Sequence, residues 1–212
     1  MLQYLTVPVN GFAQNCSIVW CDETMEAAIV DPGGDLYRLL AAVKRLGLNL
    51  KAFWLTPRPH RSRRQYAELV KRLSLPIIGP HSGDQFWIEG LPEQSAMFDF
   101  PPAGHFSPTR WLAVGDTVQI GKSSLHVRHC PDHTPGHVVF HSPQAKRAFV
   151  GDVLFAGSIG RTDFPQGNHK QLISSIRERL WTMGVDTVLT PGHGPQSTFG
   201  QERLSNPHVR GS

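Results

Sequence analysis

Cysteine is scarce in this chain: among 212 residues only Cys16, Cys21 and Cys130 carry a thiol. None falls in a Cys-x-x-Cys pair, which argues against a thiolate zinc site. Cys16 and Cys21 lie on one predicted strand at positions of opposite parity and point to opposite faces, so no bridge between them is expected. The pattern suits a reducing cytoplasm. Long apolar runs are also missing, which excludes a membrane-spanning helix. The opening segment MLQYLTVPVNGFAQN has no basic stretch followed by an apolar core, so no secretory signal is expected. A basic stripe with interleaved aromatics is absent as well, and nucleic acid is not an expected partner.

The net charge of +4 is misleading as a global property. Arg58, Arg61, Arg63 and Arg64 sit together in one short segment, and without them Lys+Arg falls from 21 to 17, equal to Asp+Glu. The remainder, 40% hydrophobic and 18% charged, is ordinary for a soluble globular domain. The length supports one large domain over 1–212 with a sizeable core.

Strand-like runs open the chain at 3–8, 15–21 and 26–31, the last ending in the turn Asp31-Pro32-Gly33-Gly34. A helix is predicted next, with Asp35 as its N-cap, Leu36, Leu39, Leu40, Val43 and Leu46 on one face, and Gly47 as the stop. Lys51–Thr56 reads as a buried strand. Tyr66, Leu69, Val70 and Leu73 mark a second amphipathic helix, and 76–79 another short strand. Residues 95–108 read as a long surface excursion. Strands resume at 117–120, 123–129, 137–142 and 147–151, followed by a helix over 168–183 with Leu172, Ile173, Ile176 and Leu180 inward. A last strand at 187–190 leads into Pro-Gly-His-Gly-Pro, and 206–212 reads as a frayed tail. Strands and helices thus alternate in two similar halves, with polar chemistry placed where strands end.

Three such positions stand out: His133 in CPDHTPGH, Asp152 in FVGDVLF and His193 in PGHGP. Taken singly, each has a bland explanation: a surface histidine, a salt-bridged aspartate or a tight turn. Asp152 follows an apolar strand, and a buried carboxylate there needs a partner charge. Its sharper explanation is a bridging metal ligand.

Together these motifs resemble the metallo-β-lactamase superfamily, and within it the short glyoxalase II-like (hydroxyacylglutathione hydrolase-like) proteins. The resemblance runs through FAQNCSIVWC, VDPGGD, WLT, HCPDHTPGHVVF, GDVLFAGSIGRTDFPQG and TPGHGPQST, nearly the whole chain. It implies an α/β fold, an αββα sandwich, with two zinc ions at one edge. It assigns His133 to the first metal, Asp152 as catalytic bridge between both, and His193 to the second. His137 would be a supporting residue, and Asp132 stands where the family usually has glycine. Arg161 and Asp163 would fix the loop after Asp152 or face substrate. The implied activity is hydrolysis of a small thioester or ester by metal-bound hydroxide. The longer glyoxalase II proteins carry a C-terminal helical extension that helps bind glutathione; none is expected after PGHGPQST, which leaves lactone or other ester substrates open. A β-lactamase role fits less well, since no export signal is seen. Nothing in the sequence fixes the oligomeric state.

One motif is missing. The family pattern Thr-His-x-His-x-Asp-His falls on Thr56, Pro57, Pro59, Arg61 and Ser62. Proline offers no side-chain donor, arginine stays protonated and repels a cation, and serine is a poor zinc ligand. His60 is out of register. Each metal would keep two of the three or more protein ligands zinc sites use. As written, the chain is expected to bind zinc weakly and catalyse poorly. Arg61 could instead pair with Asp152, as in a metal-free relative that kept the fold as a binding or scaffold protein.

The anomaly has a pattern. Residues 57–64 can be encoded CCA CGG CCA CAT CGA TCA CGT CGG, followed by C. Read one base later this gives His-Gly-His-Ile-Asp-His-Val-Gly, the missing motif in register. The first base of every shifted codon is dictated by the residue present, taking CGN and TCN codons, and all agree. The pattern points to a one-base insertion near Thr56 compensated by a loss near Gln65, in the gene or in its sequencing. Other codons at Pro57, Pro59 and Ser62 would rule this out. Arg63 and Arg64 would also stand in the first turn of the next helix, opposing its dipole by about 0.3–1 kcal/mol each.

Overall fold

Apolar strands that alternate with amphipathic helices build two facing sheets. The computed structural model describes residues 1–11, 13–56, 73–90, 107–131, 133–163 and 167–210. Strands β1 (Leu2–Val9), β2 (Gln14–Cys21) and β3 (Glu26–Val30) form an antiparallel meander. Helix α1 (Leu36–Arg45) then crosses over, so that β4 (Asn49–Trp54) lies parallel to β3. β5 (Ile77–His81) and β6 (Arg110–Leu112) extend this sheet in parallel. The second sheet repeats the plan. β7 (Thr117–Ile120), β8 (Ser123–His129), β9 (Val138–Ser142) and β10 (Arg147–Gly151) are antiparallel neighbours. A helical crossover then returns β13 (Val188–Pro191) parallel to β10, with β14 (Ser197–Thr198) at the edge. A two-strand hairpin, β11 (Leu154–Phe155) and β12 (Ser158–Ile159), follows β10.

Burial divides into three layers, as an αββα sandwich requires. Leu39, Ala42 and Val43 of α1 pack with Ile18, Ile29 and Phe53 on the outer face of the first sheet. Val19, Val30 and Trp54 of the first sheet meet Leu125, Phe140 and Phe149 of the second in the central layer. Trp54 and Phe140, both fully buried, bring their rings to 5.6 Å across the two sheets. Leu172, Ile176 and Leu180 cover the outer face of the second sheet together with Phe199 and Val209. The expected α/β sandwich is therefore the observed fold. All three cysteines are buried and outside disulfides.

Several local expectations are corrected. Asp35 stands at the N-cap of α1 in a left-handed conformation, but its carboxylate does not cap the helix. It accepts instead from the backbone N–H of Asn10, tying α1 to the turn after β1. The helix predicted over 168–183 is α-helical only from His169 to Ser175, then widens to a π-turn at Ile176–Leu180 and tightens to 3₁₀ at Trp181–Met183. Leu172, Ile176 and Leu180 nonetheless stay inward. The tail is not frayed at its start. Asn206 and Val209 are fully buried, and the Asn206 amide donates to the carbonyls of Phe155 and Ser158 in the hairpin. A helix over Phe199–Ser205 precedes it, and its buried Glu202 accepts from Gly157 N–H at 2.8 Å. The end of the chain thus braces the hairpin. The amphipathic helix expected around Tyr66–Val70 and nearly all of the 95–108 excursion lie outside the described residues.

One buried polar group carries a cost. His141 on β9 is 4% exposed, and neither ring nitrogen has a hydrogen-bond partner among the described residues. Burial, with Arg128 and His126 nearby, pushes its pKa from 6.5 down to about 4. The unfolded chain therefore binds more protons than the folded one between those values. Stability is complete above pH 6.5 and drains as the pH falls towards about 4, by on the order of 2 kcal/mol. Urea midpoints at pH 7 and pH 4.5 should show a smaller acid loss in His141→Phe than in the parent. An equal loss in both would count against this account.

Candidate active site

Parallel pairing decides where the chemistry sits. β10 and β13 run the same way, so the residues that follow them leave one edge of the sandwich together. Asp152 follows β10 and His193 follows β13, and Gly192 N–H donates to Gly151 O at 2.7 Å between them. His193 Nδ1 lies 3.2 Å from Asp152 Oδ1. From the turn after β8, His133 presents Nε2 at 3.9 Å from Asp152 Oδ2. The three residues singled out from sequence are brought to one place. His133 and Asp152 have side chains only 5% and 13% exposed, whereas His193, at 42%, forms the open rim.

His133 is oriented by its other nitrogen. Nδ1 lies 2.9 Å from the carbonyl of Arg161. A carbonyl can only accept, so Nδ1 carries a proton, and in the neutral imidazole the lone pair sits on Nε2, which faces Asp152. This is the arrangement that presents an imidazole to a metal ion. Arg161 itself forks onto Asp163 through Nε at 2.6 Å and through Nη2. That pairing holds the Asp163 carboxyl down to about 2. The pair lies in the loop after Asp152. His137 is fully buried and Nε2 donates to Val150 O at 3.0 Å, a structural position.

The first sheet reaches the same edge. Asp31, at the end of β3 and 3% exposed, accepts from Thr56 N–H at 2.7 Å and Thr56 hydroxyl at 2.6 Å. Gly151 makes room for that threonine. Its φ is +56°, and a Cβ there would stand 2.4 Å from Thr56 Oγ1 and 2.8 Å from His137 Nε2. Thr56 is therefore held against the residue before Asp152. The family's ligand loop would begin at the next residue. Asn15, at the start of β2, donates to the carbonyls of Pro191 and Gly194 on either side of His193. Asp31, Thr56 and Asn15 received no role from sequence. The argument applied to Asp152, an aspartate closing an apolar strand, would have found Asp31.

Asp152 offers two carboxylate oxygens, His133 one aligned lone pair and His193 one imidazole. Among the described residues no cluster of three His, Cys, Asp or Glu side chains is arranged to hold a metal ion. Residues 57–64 lie outside the described residues, and so does a pairing of Arg61 with Asp152; Asp132 lies outside them too. The identities at Pro57, Pro59, Arg61 and Ser62 supply no nitrogen or carboxylate ligand. The described residues, taken with the identities at those four positions, do not complete a dinuclear centre.

Comparison with known proteins places this edge in context. The family model for the metallo-beta-lactamase superfamily matches residues 67–193. The chain is 43% identical to hydroxyacylglutathione hydrolase GloC of Haemophilus influenzae over 204 residues, 96% of each protein. Its fold superposes on the crystal structure of the BLEG-1 B3 metallo-beta-lactamase with a TM-score of 0.88 and 31% identity, covering 99% of this chain and 100% of that one. A di-iron-bound crystal structure of TTHA1623 gives 0.84 and 33%, covering 96% and 98%. The strand-end arrangement and these matches agree: the chain belongs to the metallo-beta-lactamase superfamily.

Proposed function

We propose that this chain is a glyoxalase II-like hydrolase built for metal-dependent cleavage of a small thioester of the hydroxyacylglutathione kind, and that the sequence as written performs it poorly. The observation that carries the reading is the convergence of Asp152 with a tautomer-fixed His133 and with His193 at one open sheet edge. The 43% identity to a hydroxyacylglutathione hydrolase favours a thioester over a β-lactam, given 31% to the lactamase. When bound, zinc would polarise the carbonyl and lower the pKa of a bound water to about 7.

The protein's own part is placement. Arg161 O keeps the His133 proton on Nδ1, and the deep position of Asp152 limits its hydration. His193 forms the exposed rim, with the Phe155 ring 6.5 Å away as an apolar neighbour. Three cysteines outside disulfides fit a reducing cytoplasm as the setting. No described helix is long and apolar enough to cross a membrane.

A second reading rests on Pro57, Pro59, Arg61 and Ser62: a metal-poor relative that retains the fold for binding. Metal analysis of purified protein beside a thioester hydrolysis assay separates the two. The hydrolase reading expects slow turnover that a chelator abolishes and added zinc restores, at clearly fewer than two metals per chain. No turnover at saturating zinc favours the binding relative, and turnover indifferent to chelator would overturn both readings.

A further inference from the structure

The site draws on both halves of the fold, so something must fix one half against the other. We infer that Asp84 is a positioning residue for His133, acting as a strut from the first sheet to the turn that carries it. This rests on the reading of His133 as a metal ligand. Asp84 closes the 3₁₀ turn Ser82–Asp84 after β5 and is 1% exposed. Its Oδ2 accepts from Thr134 Oγ1 at 2.8 Å and its Oδ1 from Gly136 N–H at 2.5 Å. One carboxylate therefore grips the turn on both sides of Pro135, with Thr134 directly following His133.

Three further contacts make the grip rigid. His81 N–H donates to Gly136 O at 3.2 Å. The rings of His81 and His129 stack at 4.1 Å, and His129 Nε2 donates to Pro135 O at 2.7 Å. Gly136 is hemmed in: a Cβ there would stand 2.6 Å from both Asp84 N and His81 O. The turn cannot slide along Asp84 without breaking charge-assisted hydrogen bonds, which are stronger than neutral ones. A carboxylate at this position does more than fill space. It aligns His133 with Arg161 O on the opposite side, and a ligand displaced by about 1 Å no longer serves its site.

The test uses the metal-free full chain with ¹⁵N-labelled histidine, at pH 8 where imidazoles are neutral. In the parent, His133 shows a single tautomer protonated on Nδ1. In Asp84→Ala the His133 ring should become a tautomer mixture, or its ring N–H should exchange with water about tenfold faster. His137, held by Val150 O, should keep its signal. Asp84→Asn, which retains one acceptor, should recover part of the parent behaviour, and Thr134→Val should fall between. If Asp84→Ala does not fold, the Asn and Val variants decide. An unchanged His133 in the folded variants, or equal shifts at His133 and His137, overturns the inference. The readout needs no metal and no turnover, so it stands apart from failure of the hydrolase reading.

Discussion

Replacing residues 57–64 with the motif read one base later is expected to raise thioester turnover by on the order of 10³–10⁴ and bring zinc to about two per chain. The substitutions are Pro57→His, Arg58→Gly, Pro59→His, His60→Ile, Arg61→Asp, Ser62→His, Arg63→Val and Arg64→Gly. The magnitude follows from ligand arithmetic. Losing a mere outer-sphere partner costs a metal site about tenfold to a hundredfold, and four direct ligand positions are involved here. The fold is prepared to receive them: Asp31 holds Thr56 beside Gly151, one residue from Asp152. Metal analysis and initial rates on the purified pair of proteins check this. Two metals without a gain in rate would sink the thioester reading. No gain in metal would sink the assignment of His133, Asp152 and His193 as ligands. Sequencing the DNA over codons 56–66 independently decides whether the motif was displaced by a frameshift.

Gly160→Ala should be the most damaging single methyl near the site. A Cβ at Gly160 would stand 2.0 Å from the carbonyl oxygen of Asp152, far inside contact distance, and 3.5 Å from His133 Nδ1. The obstacle is backbone and cannot swing aside. Gly160 N–H is itself bonded to Val153 O, and the hairpin on that side is pinned by Asn206 and Glu202. Overpacking of this kind costs about 3 kcal/mol. Any relief must move Asp152, so in the motif-restored chain turnover should also fall about a hundredfold. Urea unfolding and steady-state rates measure the two effects. A stability within about 0.5 kcal/mol of the parent, the range of an ordinary surface change, would show that the hairpin yields freely.

Sequence reading recovered most strands because buried strands announce themselves by apolar, β-branched runs; β7, β8 and β10 fall on their expected residues. His133, Asp152 and His193 stood out because each sits in a distinctive Pro- or Gly-bounded turn, and the structure places the three beside one another. What escaped it were residues whose meaning is entirely long-range. Asp84 in Ser-Gly-Asp looks like any turn aspartate, and only the partner turn some 50 residues on gives it a role. Asn206 looked like part of a polar tail, yet its amide satisfies two hairpin carbonyls from inside the core. The π-turn at Ile176–Leu180 escaped for another reason: the apolar spacing suits an α-helix, and packing chose a wider turn. The segment 57–64 was legible as an anomaly, though its geometry lies outside the described residues.

The hydrogen bonds from Asn15 to Pro191 and Gly194 span 176 and 179 residues of chain. A contact of that range closes only after nearly everything between has been synthesised and folded. On the ribosome the first sheet can collapse early, but the His193 edge must wait for the C-terminal strand. The edge around His193 therefore takes shape last, in the finished protein rather than in the nascent chain.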